Sequence, residues 1–406
     1  KRGFTLNELF AGTDLGVYYR NDVINRWIPF GTGLPLVSVS DIEISNSTKE
    51  IIASTFGRGI YRANLCFDPQ EITPTYVETT QTWEDKVLTN DVIINQGVVL
   101  TITGTVEMPP SKFIHVQKGV LLILDGGTIT NACKEEQWGG VIVYGSSTQP
   151  QTLNYQGMIE IKNNGKIENA LVGIHCKNAK DEDGGSIGTS LYSGGGIILA
   201  NNAGFYNNSI AVAFEKYTLS SASRFRLCNF VINDELFADA TFNYFVRMNE
   251  VNGVTFTGCS FKNEHSSQSL DRGIGISSYN SFFLVDQYCQ APCPLPQKSK
   301  FNDLHYGIHA LGKKGGRTFS VANSIFENNE TGIFAIGTDL VNLKYNVFRM
   351  KNSDSQPPVA SGIYLEKSTG FIVEENEIRT IDNNPFLTSY GIYINSSGEA
   401  NNTIYK

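Results

Sequence analysis

The chain has 406 residues, 41% of them hydrophobic, and a formal net charge of −8 with no long block of one sign. That composition supplies a large core, excludes global disorder, and lacks the clustered Lys and Arg that a nucleic-acid interface needs. No stretch approaches the run of about 18 apolar residues of a helical membrane span, and the strongest, 120–124, is strand length.

The chain begins at Lys1 rather than Met and shows no leader. It is read as a mature or partial product whose export signal has been removed. Val, Ile, Phe, Tyr and Thr dominate the apolar runs, and segments of helical period are scarce. The expected class is therefore all-β.

Taken in chain order, residues 9–65 predict antiparallel strands at 9–11, 16–19, 37–44, 51–53 and 59–62. Two phrases echo each other, AGTDLGVY at 11–18 and ASTFGRGIY at 53–61. They resemble the last blade of sialidase-like or xyloglucanase-like β-propellers. Asp22 and Trp27 stand where the Asp-box of those propellers places Asp and Trp, but Val23 and Ile24 replace its two glycines. The Asp-box is a folding motif, so the resemblance implies no catalysis. One blade cannot close a propeller, which leaves two readings: blades upstream of Lys1, or a small sheet of its own. The first is favoured. Residues 66–83, with Pro69 and Pro74, read as a connector.

From 84 onward the chain predicts one solenoid. Short apolar strands at 92–94, 98–102 and 120–124 are split by glycine turns. Further on a phrase recurs, an apolar anchor followed by a Gly-Ile-like pair. Ile167 leads to Gly173-Ile174, Phe205 to Ala211-Val212, Phe301 to Gly307-Ile308 and Phe326 to Gly332-Ile333. Phe261, Phe348 and Ile378 lead to Gly273-Ile274, Gly362-Ile363 and Gly391-Ile392 across longer gaps. A small or polar residue often stands two places before the anchor: Cys228, Cys259, Ser324, Asn346 and Asn376. Successive anchors lie 22 to 40 residues apart, one coil each. A single coil cannot bury its inward face, whereas stacked coils put Phe on Phe and Ile on Ile. Asn-rich corners such as 327–330 suit left-handed backbone, and the glycine avoids crowding the next coil.

Several phrases carry a resemblance: LTITGTV at 100–106, LDGGTITNAC at 124–133, WGGV at 138–141 and IENA at 167–170. They resemble right-handed parallel β-helix repeat proteins of Bacteroidetes, of the pectin-lyase-like superfold, and the similarity covers roughly 84–406. It implies a right-handed parallel β-helix. Many such relatives leave the cell by type IX secretion through a C-terminal sorting domain. This sequence contains no such domain, and the full protein is expected to continue past Lys406. The fold hosts lyases, hydrolases, adhesins and scaffolds alike, so function must come from sites.

Candidate site residues follow. Tyr279, Phe282, Phe283 and Tyr288 crowd one long coil beside the loop Cys289-Gln-Ala-Pro-Cys293. They offer a projecting surface that could stack on sugars; the alternative is that Phe282 and Phe283 cap the core. Cys289 and Cys293 could close a small disulfide loop, or remain thiols. Asp181 and Asp183, before Gly184-Gly185, are the densest acidic cluster and a candidate Ca²⁺ site, with a solvated loop as the plainer reading. No cofactor is otherwise expected. His115, His175, His265, His305 and His309 look scattered. Motifs for nucleotide, serine-hydrolase and zinc-hydrolase chemistry are absent, as are the Asp and Gly-His-Gly motifs of polygalacturonase-like enzymes.

The sequence thus points to a secreted or outer-surface structural or adhesion segment of a larger bacterial protein, without catalysis. Its expected partners are a surface glycan or the secretion machinery. The competing reading is a polysaccharide lyase or glycoside hydrolase working in a β-helix groove. A glycosidase would place two carboxyls within about 10 Å on one face.

Overall fold

A computed structural model describes residues 9–20, 27–30, 34, 36–45, 50–64, 73–133, 136–178, 193–236, 240–266, 272–290, 292–313, 316, 318–350, 361–381, 389–398 and 401–406. Among these there are strands and no helix. Asp22, Asp181, Asp183 and Cys66 lie outside the described residues.

The main body is a right-handed parallel β-helix. Each coil gives one strand to each of three parallel sheets, of 12, 12 and 11 strands among the described residues. The solenoid begins inside the stretch read as a connector. Thr75–Val77, Gln81–Trp83 and Lys86–Val87 already pair in parallel with the next coil.

Alternation within each strand turns every second side chain inward. In the first sheet Val212, Val246, Ile276, Ile308, Ile333 and Ile363 stand in register and point into the core. In the third sheet Phe205, Phe230, Phe261, Phe301, Phe326 and Phe348 stack ring on ring. Their centroids are 4.6–4.8 Å apart and their planes within 10°. Each such pair contributes about 0.5–1.5 kcal/mol beyond simple burial. The recurrent Phe anchors of the sequence are this ladder.

The glycine of the Gly-Ile phrase faces the ladder. A Cβ on Gly307 would lie 2.6 Å from the Gly332 carbonyl oxygen and 2.7 Å from the Phe326 ring. On Gly332 it would lie 2.6 Å from the Gly362 oxygen and 2.7 Å from the Phe348 ring. Close approach between coils, rather than a special backbone angle, fixes glycine there.

The residues two places before the anchors line the inner corner between the second and third sheets. Asn346 Nδ2 donates to the Val321 carbonyl at 2.9 Å, and Asn346 Oδ1 accepts from the Ser324 amide at 3.0 Å. The Asn346 amide in turn donates to Asn376 Oδ1 at 3.0 Å. Buried corner carbonyls and amides are thereby paired. Burial pushes the thiols of Cys176 and Cys228 up, which removes them as nucleophiles. Just outside this corner the chain turns through left-handed residues: Asn202 (φ 53°), Leu227 (φ 53°), Gly258 (φ 65°) and Asn323 (φ 49°).

The N-terminal segment forms two three-stranded antiparallel sheets. Leu9–Thr13, Gly16–Arg20 and Ile28–Phe30 make up one. Val39–Ser45, Glu50–Thr55 and Gly59–Asn64 make up the other. The segment has its own small core of Val17, Val39, Ile51 and Ala53, with Phe10, Phe30 and Leu34 packed against it.

Candidate functional site

Two regions gather side chains able to do chemistry or bind. The first is the outer face of the first sheet. Strand register puts His115, His175, Arg247 and His309 in one outward column, interleaved with Ile142, Ala213 and Ser277. Three histidines that look scattered in the sequence therefore share a face.

Glu215 is the centre of this face. Its side chain is 4% exposed; His175 Nε2 lies 2.9 Å from its Oε1, and Arg247 Nη2 donates to the same oxygen at 2.6 Å. Burial pushes the Glu215 carboxyl up, but the His175 hydrogen bond and the Arg247 charge outweigh it, and the net direction is down. Burial also lowers His175, with Glu215 opposing and Lys177 and Arg247 adding to the fall. One coil on, Glu250 accepts from Lys216 at 2.7 Å and from Lys313 at 2.8 Å, which hold it at about 2. Lys313 also sits 5.1 Å from the Tyr279 ring centre.

The Glu215 and His175 shifts have one sign. Both groups release protons more readily folded than unfolded, so the unfolded chain binds more protons in the window below each ordinary value. Stability should fall as pH drops through 6.5, the ordinary value for His175, and again below 4.5, that for Glu215. Urea midpoints measured between about pH 8 and pH 3 check this. Burial lowers His115 and His309 as well, so a His175→Gln variant should shrink the upper limb rather than abolish it.

Further along the same face the column turns aromatic. His309, Phe334, Tyr364 and Tyr393 follow one another, with Phe334 and Tyr364 4.7 Å apart at 12° and Tyr364 and Tyr393 5.2 Å apart at 6°. Those rings cover one another's faces, which leaves edges rather than platforms for a sugar.

The second region is the loop after strand Phe282–Asp286. Tyr288 and Gln297 pair backbone to backbone, at 2.7 and 2.9 Å, and Cys289 and Cys293 are joined by a disulfide with Cα atoms 5.4 Å apart. The loop borders an open recess of about 400 Å³ lined by Leu227, Tyr288, Gln290, Pro292, Pro294, Leu295 and Gln297.

The four aromatic candidates divide. Phe283 is fully buried and stacks on Phe319 at 5.1 Å, so it belongs to the core and cannot meet a ligand. Phe282, its neighbour on the opposite face, is 40% exposed, and Tyr279 is 39% exposed. Those two lie at the corner between the first and second sheets. Tyr288 lies beyond the far end of the strand, roughly 20 Å from Phe282 at about 3.3 Å per residue. Among the described residues no group of three or more His, Cys, Asp or Glu could hold a metal ion. Glu215, Arg247, Leu227 and Gln297 escape sequence reading. Glu215 and Arg247 are 32 residues apart, and only coil register joins them.

A family model described as "Right handed beta helix region" matches residues 293–406. No curated protein matches the sequence. Among solved structures, an endo-xylogalacturonan hydrolase from Aspergillus tubingensis is 11% identical, covering 80% of this chain and 90% of its own, with a TM-score of 0.21. That likeness carries no argument about the chemistry of this chain.

Proposed function

We propose that this chain is a stiff, non-catalytic structural and adhesion segment of an exported bacterial protein, with a glycan as its partner. The observation that carries the reading is the state of the carboxyls. Glycoside hydrolysis needs a carboxyl held protonated beside a second that is ionised. Glu215 and Glu250, the carboxyls centred on the first-sheet face, are both pushed down and neutralised by cations. Glu168 is pushed up by burial and by the charge of Glu235, but it stands on the third sheet and not on that face, with Lys166 3.8 Å away. Stacked coils with an unbroken aromatic ladder suit a spacer.

A second reading keeps a lyase or hydrolase in play, because His175 and Arg247 meet Glu215 on one face. Incubation with neutral and acidic polysaccharides separates the two. The expected result is retention on a glycan with no new reducing ends and no unsaturated product. Product formation abolished by Glu215→Gln would establish the enzyme instead.

A further inference from the structure

We propose that the recess beside the Cys289–Cys293 loop is a subsite for a neutral pyranose unit. The proposal rests on the adhesion reading and gives it a place and a ligand class. The recess lies at the corner between the second and third sheets, away from the ionic network of the first.

Its floor is built by backbone geometry. Gly258 takes a left-handed φ of 65°, and a Cβ there would come within 2.6 Å of Tyr288 Cβ and 3.1 Å of Leu227 Cδ2. Tyr288 and Leu227 therefore close over a bare glycine. Leu227 itself holds φ 53° in a column where Asn202, Asn323, Tyr345 and Glu375 are also left-handed. The corner turn imposes that costly conformation on whatever residue stands there. Here it turns an apolar side chain into the recess.

The lining has the chemistry of a sugar subsite. Tyr288, Pro292, Pro294 and Leu227 offer apolar surface to the C–H face of a ring. Gln290 and Gln297 bring amides, which both donate and accept, as vicinal hydroxyls require. Gln297 Nε2 is oriented by the Gly258 carbonyl at 3.1 Å. None of the lining residues carries a charge at neutral pH, which selects a neutral sugar over a uronate. The volume, about 400 Å³, falls at the small end of ligand pockets, roughly 300–1,000 Å³. The disulfide and the Tyr288–Gln297 pairing fix the loop before binding, which lowers the ordering cost.

Calorimetric titration of the full chain with cellotriose, mannotriose, galactotriose and trigalacturonate tests this. At least one neutral trisaccharide should bind and trigalacturonate should not. Tyr288→Ala and Gln297→Ala should each weaken binding about tenfold, the worth of one good contact. Tyr288→Phe should keep it, which shows that the loop still folds. Tyr279→Ala and Phe282→Ala, at the opposite corner, should leave it unchanged. The subsite is refuted if only trigalacturonate binds, if no sugar binds, or if Tyr279→Ala rather than Tyr288→Ala removes affinity. In that last case adhesion stands and only its location is wrong. Cleavage of a bound sugar would overturn the adhesion reading while leaving the Tyr288 result to judge the recess.

Discussion

Replacing Phe261 by alanine should lower the free energy of unfolding by about 3–5 kcal/mol, the range for deleting a buried aromatic ring. Phe261 is fully buried and stacks at 4.6 Å on Phe230 on one side and on Phe301 on the other. It also meets Phe256 and Phe245 edge-on or tilted, at 5.9 and 6.2 Å. The cavity cannot collapse readily, because each neighbouring ring is held by its own coil in register. Urea titration gives the measurement. Phe282→Ala is the control: that ring is 40% exposed, and its loss should stay within about 0.5 kcal/mol. Equal effects from the two variants would dismiss the ladder as the source of stability.

Gly332→Ala should destabilise by about 1–3 kcal/mol, the usual cost of overpacking. The sign is the informative part, since glycine to alanine at an unstrained site stabilises by about 0.4–1 kcal/mol through the unfolded chain. At Gly332 the new methyl would press on the Gly362 oxygen at 2.6 Å and the Phe348 ring at 2.7 Å. Neither can retreat, one being backbone in the sheet and the other a rung of the ladder. Gly391 occupies the equivalent place one coil beyond Gly362. There a Cβ would meet only Ile378 Cγ2, at 3.7 Å, an ordinary contact. In the 406-residue chain, where no further coil stacks on Gly391 among the described residues, Gly391→Ala should therefore be neutral or slightly stabilising. Thermal unfolding of both variants decides it, and matching losses would reject close coil approach as the reason for the Gly-Ile phrase.

The sequence by itself determined the fold class, the coil period and the inward columns. A solenoid repeats one local environment, so Phe at the anchor, Gly beside Ile and Asn at the corner recur wherever that environment does. Tertiary structure alone decided which outward residues meet. Loops of unequal length separate the coils, so Glu215 finds His175 across 40 residues and Arg247 across 32. No spacing rule survives such insertions. Phe282 and Phe283 are adjacent and chemically identical, yet strand parity sends one to solvent and the other to the core. Tyr279 and Tyr288, close in sequence, end at opposite edges of the second sheet because an extended strand runs between them. The left-handed turn at Leu227 could not be read from a leucine. The corner between the second and third sheets imposes it, as it does on Asn202, Asn323, Tyr345 and Glu375, and that is a property of stacked coils rather than of any one of them.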